Sequence, residues 1–403
     1  MDTRYKDLAT FAVFSPPVRD FPKWKTRLGQ YPMLISYEPE NNKGVPTMPK
    51  RRWEDEATSQ GFLFMDYAST DDSKVLLEEA KQPNRVGWMI KGMDEPDSSN
   101  HNISAEKILA EVAIIRKVAG ASLPIYINFA GEVVTRINPK KEFTYYQKLA
   151  AGGIDIAGED WYPNTKNFDR YEDWFPMMAS DRLVRCGFTN SQIQILECSD
   201  QHISDLGRGP TPQEFFFQFW NCVAMGHKPC LFPQKIGNKR DVQNEDGSWP
   251  STFMYDNTTP EIIATIQQCA LQYNQLWPYM NASNAVIRRT IVDDSAFAKA
   301  WPGEMFTQPN GASVPYTGQV IGVDYINDKV NLLHSFRFNW NKKTPLGLGS
   351  NLIPPLGVQI MQTAIGSHPS LLGGTLNVQV DVPGFDVSYS GSGTTFSLSP
   401  KKS

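Results

Sequence analysis

The sequence predicts an α/β fold, namely a (β/α)8 TIM barrel followed by a C-terminal all-β, sandwich-like domain. Over the first 280 residues, short apolar runs alternate with amphipathic helical stretches. After about residue 281, period-two alternation replaces the helical pattern. The length of 403 residues also suits two domains. We therefore expect a barrel over residues 1–280 and a β domain over residues 281–403.

Eight apolar runs are predicted to be strands, and most are continuous, as in parallel strands covered on both faces. They span residues 11–15, 33–38, 62–67, 87–93, 124–130, 154–160, 193–199 and 228–234. Helical patterns lie between them, the clearest over residues 104–119. Strand and helix repeat over a length close to the barrel's usual size of about 250 residues. A doubly wound sheet would want a Gly-rich turn after the first strand, where this chain has Ser15-Pro16-Pro17-Val18.

Local signals support the later elements. Thr211-Pro212-Gln213-Glu214 opens a helix over residues 215–225 with a capping Thr, a Pro at the first position and a Glu three residues after the cap. Residues 320–338 are predicted to form a hairpin that turns at Asn327-Asp328. Residues 376–382 alternate as a strand does.

Composition excludes several classes of partner. A net charge of -4 and a pI near 5.8 give no electrostatic reason to expect nucleic acid or an anionic membrane. No stretch reaches the roughly 20 apolar residues of a membrane helix. The five cysteines match no CxxC motif and are predicted to be buried free thiols. The first residues lack the apolar core of a signal peptide, so cytoplasm and export after signal removal both stay open, as does the oligomeric state.

Polar residues that end barrel strands are the candidate site, because active sites in this fold lie at the carboxyl ends of the strands. Carboxylates, amides and aromatic residues gather there: Glu38, Asp66, Tyr67, Asp94, Glu95, Asn128, Asp160, Trp161, Tyr162, Glu197, Gln234 and Lys235. The five histidines form no HxH or HxxxH spacing, so we expect neither a metal nor a cofactor. No GxSxG elbow indicates a serine hydrolase.

Two of these residues fit acid–base chemistry best. Glu95 follows the fourth predicted strand in Met93-Asp94-Glu95-Pro96, and Glu197 ends the apolar seventh strand in Ile195-Leu196-Glu197. A carboxylate at the end of an apolar strand costs desolvation unless it has a use. Two such groups across a barrel mouth suit glycoside cleavage, in which one acid protonates the leaving oxygen and one carboxylate attacks the sugar. The acid needs a raised pKa, for which Asp94 or the second carboxylate is the candidate cause.

The Asp94-Glu95-Pro96 segment on strand four and Glu197 on strand seven resemble the clan A glycoside hydrolases. That resemblance covers roughly residues 10–280 and implies a retaining (β/α)8-barrel glycosidase. It implies Glu95 as acid/base, Glu197 as nucleophile and Tyr162 as the aromatic residue that orients the nucleophile. The chain departs from the family by having Asp94 where Asn is usual, no Arg at the end of strand two, and Gln234-Lys235 where strand eight usually ends in Trp.

The expected substrate is an oligo- or polysaccharide, with the other strand-end residues binding it. Three alternatives stay open: a carbohydrate-binding barrel without catalysis, an enzyme that pairs carboxylates from strands four and six (Glu159 or Asp160 with Glu95), and a barrel lyase or isomerase. The separation of the two carboxyl groups distinguishes glycosidase mechanisms, at about 5–5.5 Å for retention and about 6.5–9.5 Å for inversion.

Overall fold

The computed structural model describes most of the barrel and parts of the C-terminal region. The described residues are 12–14, 16, 18–28, 33–36, 50–98, 101–130, 139–161, 164–165, 168–169, 183–184, 186–188, 192–199, 208–236, 254–256, 258–280, 286–293, 305–307, 313–315, 318–327, 332–339, 345–348, 351–353, 355–364, 385–390 and 395–400.

Eight parallel strands close into a barrel, which confirms the predicted fold class. In chain order the strands up to the end of the barrel are β1 (Ala12–Phe14), β2 (Met33–Ser36), β3 (Leu63–Tyr67), β4 (Arg85–Met89), β5 (Ile125–Phe129), β6 (Ile156–Trp161), a ribbon of β7 (Asn164–Thr165) and β8 (Phe168–Asp169), β9 (Ile193–Glu197) and β10 (Lys228–Phe232). The barrel order is β1-β10-β9-β6-β5-β4-β3-β2. All eight predicted strands are present, with bounds that differ by a few residues.

Alternation along each strand separates an interior from an exterior face. The interior cluster includes Ile35 of β2, Met65 of β3, Ile156 of β6 and Ile193 and Ile195 of β9. Side chains at even spacing from these residues therefore point into the barrel, and the intervening ones point away from it. At the carboxyl ends, the interior residues of three consecutive strands are polar.

Helices connect the strands as the periodicity predicts. They are α1 (Phe21–Leu28), α2 (Lys50–Ser59), α3 (Ser73–Glu79), α4 (Ala105–Ala119), α5 (Pro139–Ala151), α6 (Pro212–Ala224) and α7 (Pro260–Met280). At α6 the predicted cap is confirmed: Thr211 accepts from the backbone of Glu214, whose side chain accepts from the backbone of Thr211. The five cysteines are buried thiols outside any disulfide, as predicted. None of the described helices combines the length and apolar character needed to cross a membrane.

The C-terminal region is built of antiparallel strands. They follow a ribbon of β11 (Gln234–Ile236) and β12 (Met254–Asp256), and are β13 (Val286–Asp293), β14 (Met305–Thr307), β15 (Ser313–Pro315), β16 (Gly318–Asn327), β17 (Leu332–Phe338), β18 (Leu346–Leu348), β19 (Asn351–Ile353), β20 (Val358–Ala364), β21 (Phe385–Ser390) and β22 (Thr395–Pro400). Six of them form one sheet in the order β13-β16-β17-β20-β22-β21. The predicted hairpin is the β16–β17 pair, whereas residues 376–382 lie outside the described residues.

The chain divides into two compact units. The first contains residues 1–169, 175–210 and 226–259, and the second contains residues 170–174, 211–225 and 260–403. In the second unit, helix α6 packs against the antiparallel sheet: Trp220 stacks on Phe336 at 6.0 Å, and the Tyr325 hydroxyl donates to the Ala224 carbonyl. The first unit holds all eight barrel strands. The predicted domain boundary at residues 280/281 stays a prediction.

Candidate active site

The turn after β4 carries the first acidic pair. Strand β4 ends at Met89, four residues before the predicted end. Gly92 then adopts a φ of 66°, a left-handed conformation that stops the extended run, and the Met93 amide donates to the Ile90 carbonyl at 3.2 Å. Asp94 and Glu95 follow this turn and do not lie directly on the strand end.

Glu95 has a strained backbone that its neighbours hold in place. Its φ of 44° is left-handed, which is uncommon for a residue with a side chain and costs of order 1–3 kcal/mol. The Glu95 amide donates to the Asn128 carbonyl at 3.1 Å, and the Glu95 carbonyl accepts from the Ser98 amide at 3.0 Å. His101 Nδ1 lies 3.1 Å from the same carbonyl. Strain of this kind clusters at functional sites.

Asp97 anchors the same loop to the end of β5. Its carboxylate accepts from the Ala130 amide at 2.9 Å and from the Tyr146 hydroxyl of α5 at 2.8 Å. Burial raises the pKa of Asp97, and these two donors act against that rise. The loop that bears Glu95 is thus fixed at both its backbone and a side chain.

Asn128 connects the acidic side chains. Its Nδ2 donates to Asp160 Oδ1 at 2.9 Å and to Asp94 Oδ1 at 3.3 Å, while its Oδ1 accepts from the Tyr126 hydroxyl at 3.3 Å. The tyrosine therefore fixes the orientation of the amide, so that its donor side faces the carboxyl groups. Gly158 makes room for this arrangement, because a methyl group there would overlap the Tyr126 ring.

Asp160 and Asp94 lie in an environment that disfavours their charge. Burial raises the pKa of Asp160 well above its ordinary value, followed by the charges of Glu95 and Asp94. Burial and the charge of Glu95 raise the pKa of Asp94 to about 7, against the Asn128 hydrogen bond and the nearby His101. The Asp160 and Glu95 carboxyls lie close enough for the charge of one to act on the pKa of the other. Four side chains, Asp94, Glu95, Asn128 and Asp160, thus form one group, which we call the carboxyl cluster.

Glu197 ends β9, the strand next to β6, and is 1% exposed. It lies two and four residues after the interior residues Ile195 and Ile193, on the same face of the strand, and so it points into the barrel. Asp160 aligns with Ile195, which places Glu197 one interior layer nearer the mouth, about 6.6 Å along the strand. On its other side it aligns with Phe232, whose ring stacks on Phe14 at 5.6 Å. Glu197 therefore lies between the carboxyl cluster and an aromatic pair.

Asp66, by contrast, does not join this group. It lies on the exterior face of β3, next to the interior Met65, and is fully buried in an ion pair with Arg85 of β4. Arg85 also pairs with Glu54 of α2 and lies 4.2 Å from the centre of the Trp88 ring. The expectation that Asp66 contacts substrate is corrected, because alternation turns its carboxylate toward the helices.

The remaining predicted residues divide into three sets. The Tyr67 ring contacts the Lys50 ammonium at 4.3 Å and lies 5.9 Å from that of Lys91. Glu38 and Tyr162 lie outside the described residues. For Trp161, Gln234 and Lys235 the structure describes the backbone alone, with the last two in the ribbon of β11 and β12.

Sequence reasoning missed the supporting residues Tyr126, Gly158 and Asp97. A glycine inside an apolar strand does signal close approach of another group, so Gly158 had a readable sign. Tyr126 and Asp97 had none, since their roles depend on which side chains meet in space. Among the described residues, no three His, Cys, Asp or Glu side chains are arranged to hold a metal ion.

Known proteins resemble this chain in structure but not in sequence. No model of a known protein family matches the chain, and no curated protein sequence matches it. A glucosidase from Croceicoccus marinus has a similar structure (TM-score 0.44, 10% identity, 83% of this chain and 75% of that one). So do an endo-beta-1,4-mannanase from Thermotoga petrophila (0.43, 10%, 90% and 96%) and a beta-galactosidase from the Antarctic haloarchaeon Halorubrum lacusprofundi (0.46, 11%, 69% and 58%). At identities of 10–11% and TM-scores of 0.43–0.46 the likeness concerns the fold alone.

Proposed function

We propose that this protein is a retaining glycoside hydrolase that acts on an oligo- or polysaccharide. The observation that carries the proposal is the carboxyl cluster, in which a strained Glu95 is held at the barrel mouth against a second carboxyl group. Carboxyl groups that keep a proton near neutral pH, beside others that ionise, are what glycoside cleavage needs. The clan A resemblance of Asp94-Glu95-Pro96 and Glu197 supports the same reaction.

In this proposal Glu95 and Glu197 are the catalytic pair. Glu95 protonates the departing oxygen while the Glu197 carboxylate attacks the anomeric carbon, which gives a glycosyl-enzyme ester. Glu95 then takes a proton from water, and the resulting hydroxide oxygen displaces Glu197. The interior orientation of Glu197, one layer above Asp160, suits attack on a sugar that lies across the carboxyl cluster.

The position of Glu197 favours it over Asp160 as the second catalytic carboxylate. Asp160 is held by the Asn128 amide at 2.9 Å, and Glu197 lies one interior layer nearer the mouth, where a sugar has room to lie between it and Glu95. The catalytic pair of a retaining glycosidase is about 5–5.5 Å apart, and that of an inverting one about 6.5–9.5 Å, because a sugar carbon or water lies between them. Glu159 is no better, since it lies next to Asp160 on the exterior face of β6.

The phenylalanine pair supports a sugar substrate. Phe14 and Phe232 stack at the mouth beside Glu197, and each keeps a small exposed area. Aromatic side chains pack well against the apolar faces of sugar rings. We propose that Asp94 and Asn128 contact substrate hydroxyls from the opposite side, together with Tyr67, Trp161, Tyr162, Gln234 and Lys235 where substrate reaches them.

The test is a screen of nitrophenyl glycosides and plant, fungal and bacterial polysaccharides. Wild type is compared with Glu95→Gln, Glu197→Gln and the control Glu159→Gln, which alters a buried carboxyl on the same strand as Asp160 but on its exterior face. We expect cleavage by wild type and by the control. Loss of the acid lowers the rate on poor leaving groups by about 10²–10⁴-fold, and loss of the nucleophile abolishes turnover.

Azide distinguishes the two roles. In Glu95→Gln, azide intercepts the glycosyl-enzyme and yields a glycosyl azide of retained configuration. In a Glu197→Gly variant, azide fills the space of the lost carboxylate and yields the inverted azide. If wild type binds glycans without cleaving any of them, and both variants bind equally well, the protein is a sugar-binding barrel and the proposal fails.

A further inference from the structure

We propose that His101 is a positioning residue for Glu95, because its imidazole holds the backbone of the acid in the left-handed conformation seen in the structure. This inference rests on the proposed function, in which Glu95 is first the acid and then the base. It assigns a role to a histidine that the sequence pattern does not single out.

The imidazole of His101 contacts the backbone of the residue that it positions. His101 Nδ1 lies 3.1 Å from the Glu95 carbonyl oxygen. A carbonyl oxygen only accepts hydrogen bonds, so Nδ1 must carry the hydrogen. Both the protonated imidazole and one of the two neutral tautomers have an Nδ1–H. The contact therefore needs a donor at this position but needs no charge on the ring.

Glu95 requires such support because its conformation is unfavourable by itself. A residue with a side chain keeps a φ of 44° only where its surroundings determine it. The Glu95 amide donates to the Asn128 carbonyl of β5 at 3.1 Å. The Glu95 carbonyl accepts from the Ser98 amide at 3.0 Å and from His101. Loss of His101 would leave Ser98 as the described donor to this carbonyl.

The loop that bears Glu95 brings the ring of His101 back to it. The His101 amide donates to the Ser98 carbonyl at 3.1 Å. The Ile103 amide donates to the Pro96 carbonyl at 2.8 Å, and the Ile103 carbonyl accepts from the Tyr145 hydroxyl of α5 at 3.1 Å. The backbone around His101 is thus fixed before its side chain acts, so the imidazole is a preorganised support.

His101 also acts on a second member of the carboxyl cluster. Its charge lowers the pKa of Asp94, against burial and the charge of Glu95, which raise it. An electrostatic role through Asp94 needs the positive ring, whereas the positioning role needs only an Nδ1–H. A variant that keeps the donor and removes the charge therefore separates the two roles.

The kinetic test compares His101→Asn and His101→Leu with wild type, on whichever nitrophenyl glycoside wild type cleaves and on its dinitrophenyl counterpart. The asparagine amide places an N–H near the position of Nδ1, whereas leucine places a methyl group there. For His101→Leu we expect kcat/KM on the nitrophenyl glycoside to fall about 10- to 100-fold, because a misplaced acid protonates a poor leaving group badly. His101→Asn should recover most of that loss.

The dinitrophenyl glycoside tests the same variants without the need for an acid. Its kcat/KM in His101→Leu should stay within a few-fold of wild type, while kcat and KM fall together because Glu95 is also the base of the second half-reaction. Lys107→Leu is the matched control, an exposed substitution at the start of α4 that should leave these rates unchanged. An asparagine variant as impaired as the leucine variant would mean that His101 acts through its charge, and would overturn the proposal. An equal fall of kcat/KM on both substrates would also overturn it.

Hydrogen exchange followed by mass spectrometry needs no substrate. The amides of Glu95 and Ser98 are both hydrogen-bonded, so they exchange only when the loop opens. We expect exchange of the peptide that covers residues 93–98 to be about tenfold faster in His101→Leu and close to wild type in His101→Asn and Lys107→Leu. The His101 ring is exposed, so the urea midpoints of all three variants should stay close to that of wild type.

The outcomes separate the two proposals. Unchanged exchange in His101→Leu would refute the positioning role, whatever the activity. A wild type that cleaves no glycoside would refute the hydrolase, and faster exchange in His101→Leu would then still show that His101 holds the backbone of Glu95.

Discussion

Replacing Arg85 with methionine tests whether the acidic group behind β3 and β4 is a structural network. Arg85 is fully buried, and its guanidinium forms ion pairs with Asp66 and Glu54. Its Nε–H donates a hydrogen bond to the Glu79 carbonyl at 3.1 Å. Lys50 lies 2.7 Å from the Glu79 carboxylate, so two cations face three carboxyl groups. Burial, followed by the charge of Asp66, raises the pKa of Glu54 to about 8, although both cations act to lower it.

The expected loss of stability follows from those contacts. Methionine keeps the apolar contact with the Trp88 ring but leaves the buried Asp66 with only the more distant Lys50 ammonium, at 3.9 Å, in place of the guanidinium. Removing one partner of a buried ion pair typically costs about 3–5 kcal/mol, a large part of the roughly 5–15 kcal/mol that stabilises a domain. The cost should shrink at low pH, because the stranded carboxylates then take up a proton. In wild type, the protonated Glu54 stabilises the fold fully below its ordinary pKa of 4.5, and that contribution is lost as pH rises through about 8.

Urea unfolding, followed by tryptophan fluorescence and circular dichroism, measures these changes at about pH 5 and about pH 8. Lys81→Met is the matched control, since its ion pair with Glu78 is exposed and contributes less than about 1 kcal/mol. Adding Asp66→Asn to Arg85→Met should recover part of the loss. A cost no larger than that of Lys81→Met, or one that is equal at the two pH values, would refute the reasoning. If a folded Asp66→Asn single variant cleaves substrate more slowly than wild type, Asp66 has a role in substrate binding or catalysis after all.

Two further predictions concern the supports of the carboxyl cluster. Gly158→Ala places a methyl group in the Tyr126 ring and should cost about 1–3 kcal/mol of unfolding free energy, measured in urea, and pairing it with Tyr126→Leu should restore part of that. If Gly158→Ala alone is as stable as wild type, the close contact between residue 158 and the Tyr126 ring, which supports Asn128, is contradicted. Asp97→Asn weakens the anchor of the Glu95 loop and should lower kcat/KM roughly 10- to 100-fold through misplacement of Glu95, with a melting temperature close enough to wild type to show a folded protein. Unchanged kinetics would show that the loop keeps its position without this anchor.

The fold was predictable because its signals are local. Parallel strands covered on both faces are continuous apolar runs, and all eight appear in the sequence. The cap at Thr211 and Glu214 likewise depends on residues three apart. Strand four was predicted too long, because Gly92 and Met93 extend the apolar run while the left-handed backbone of Gly92 ends the strand.

The site was only partly predictable, because a strand end has two faces. Asp66 and Asp160 look alike in sequence, each acidic and each beside an aromatic residue at the end of an apolar strand. Alternation sends Asp66 outward and Asp160 inward. A sign for Asp66 did exist, since the buried Arg85 that starts the next strand needs an anionic partner. The position of Glu95 near Asp160 had no such sign, because it depends on the positive φ of Glu95 and on the hydrogen bond from its amide to the Asn128 carbonyl.

The attachment of Glu95 to the Asn128 carbonyl has a consequence for how this barrel tolerates change. The glutamate follows β4 in the chain but takes its position from β5, through a backbone hydrogen bond and the Asp97 anchor. The length of the turn formed by residues 90–93 therefore does not set the position of Glu95, which its contacts with β5 fix. Insertions in that turn should be tolerated, whereas a shift of β5 by one residue would carry the acid away from the mouth. A graft of this site into another barrel would have to move the ends of strands four, five and six together.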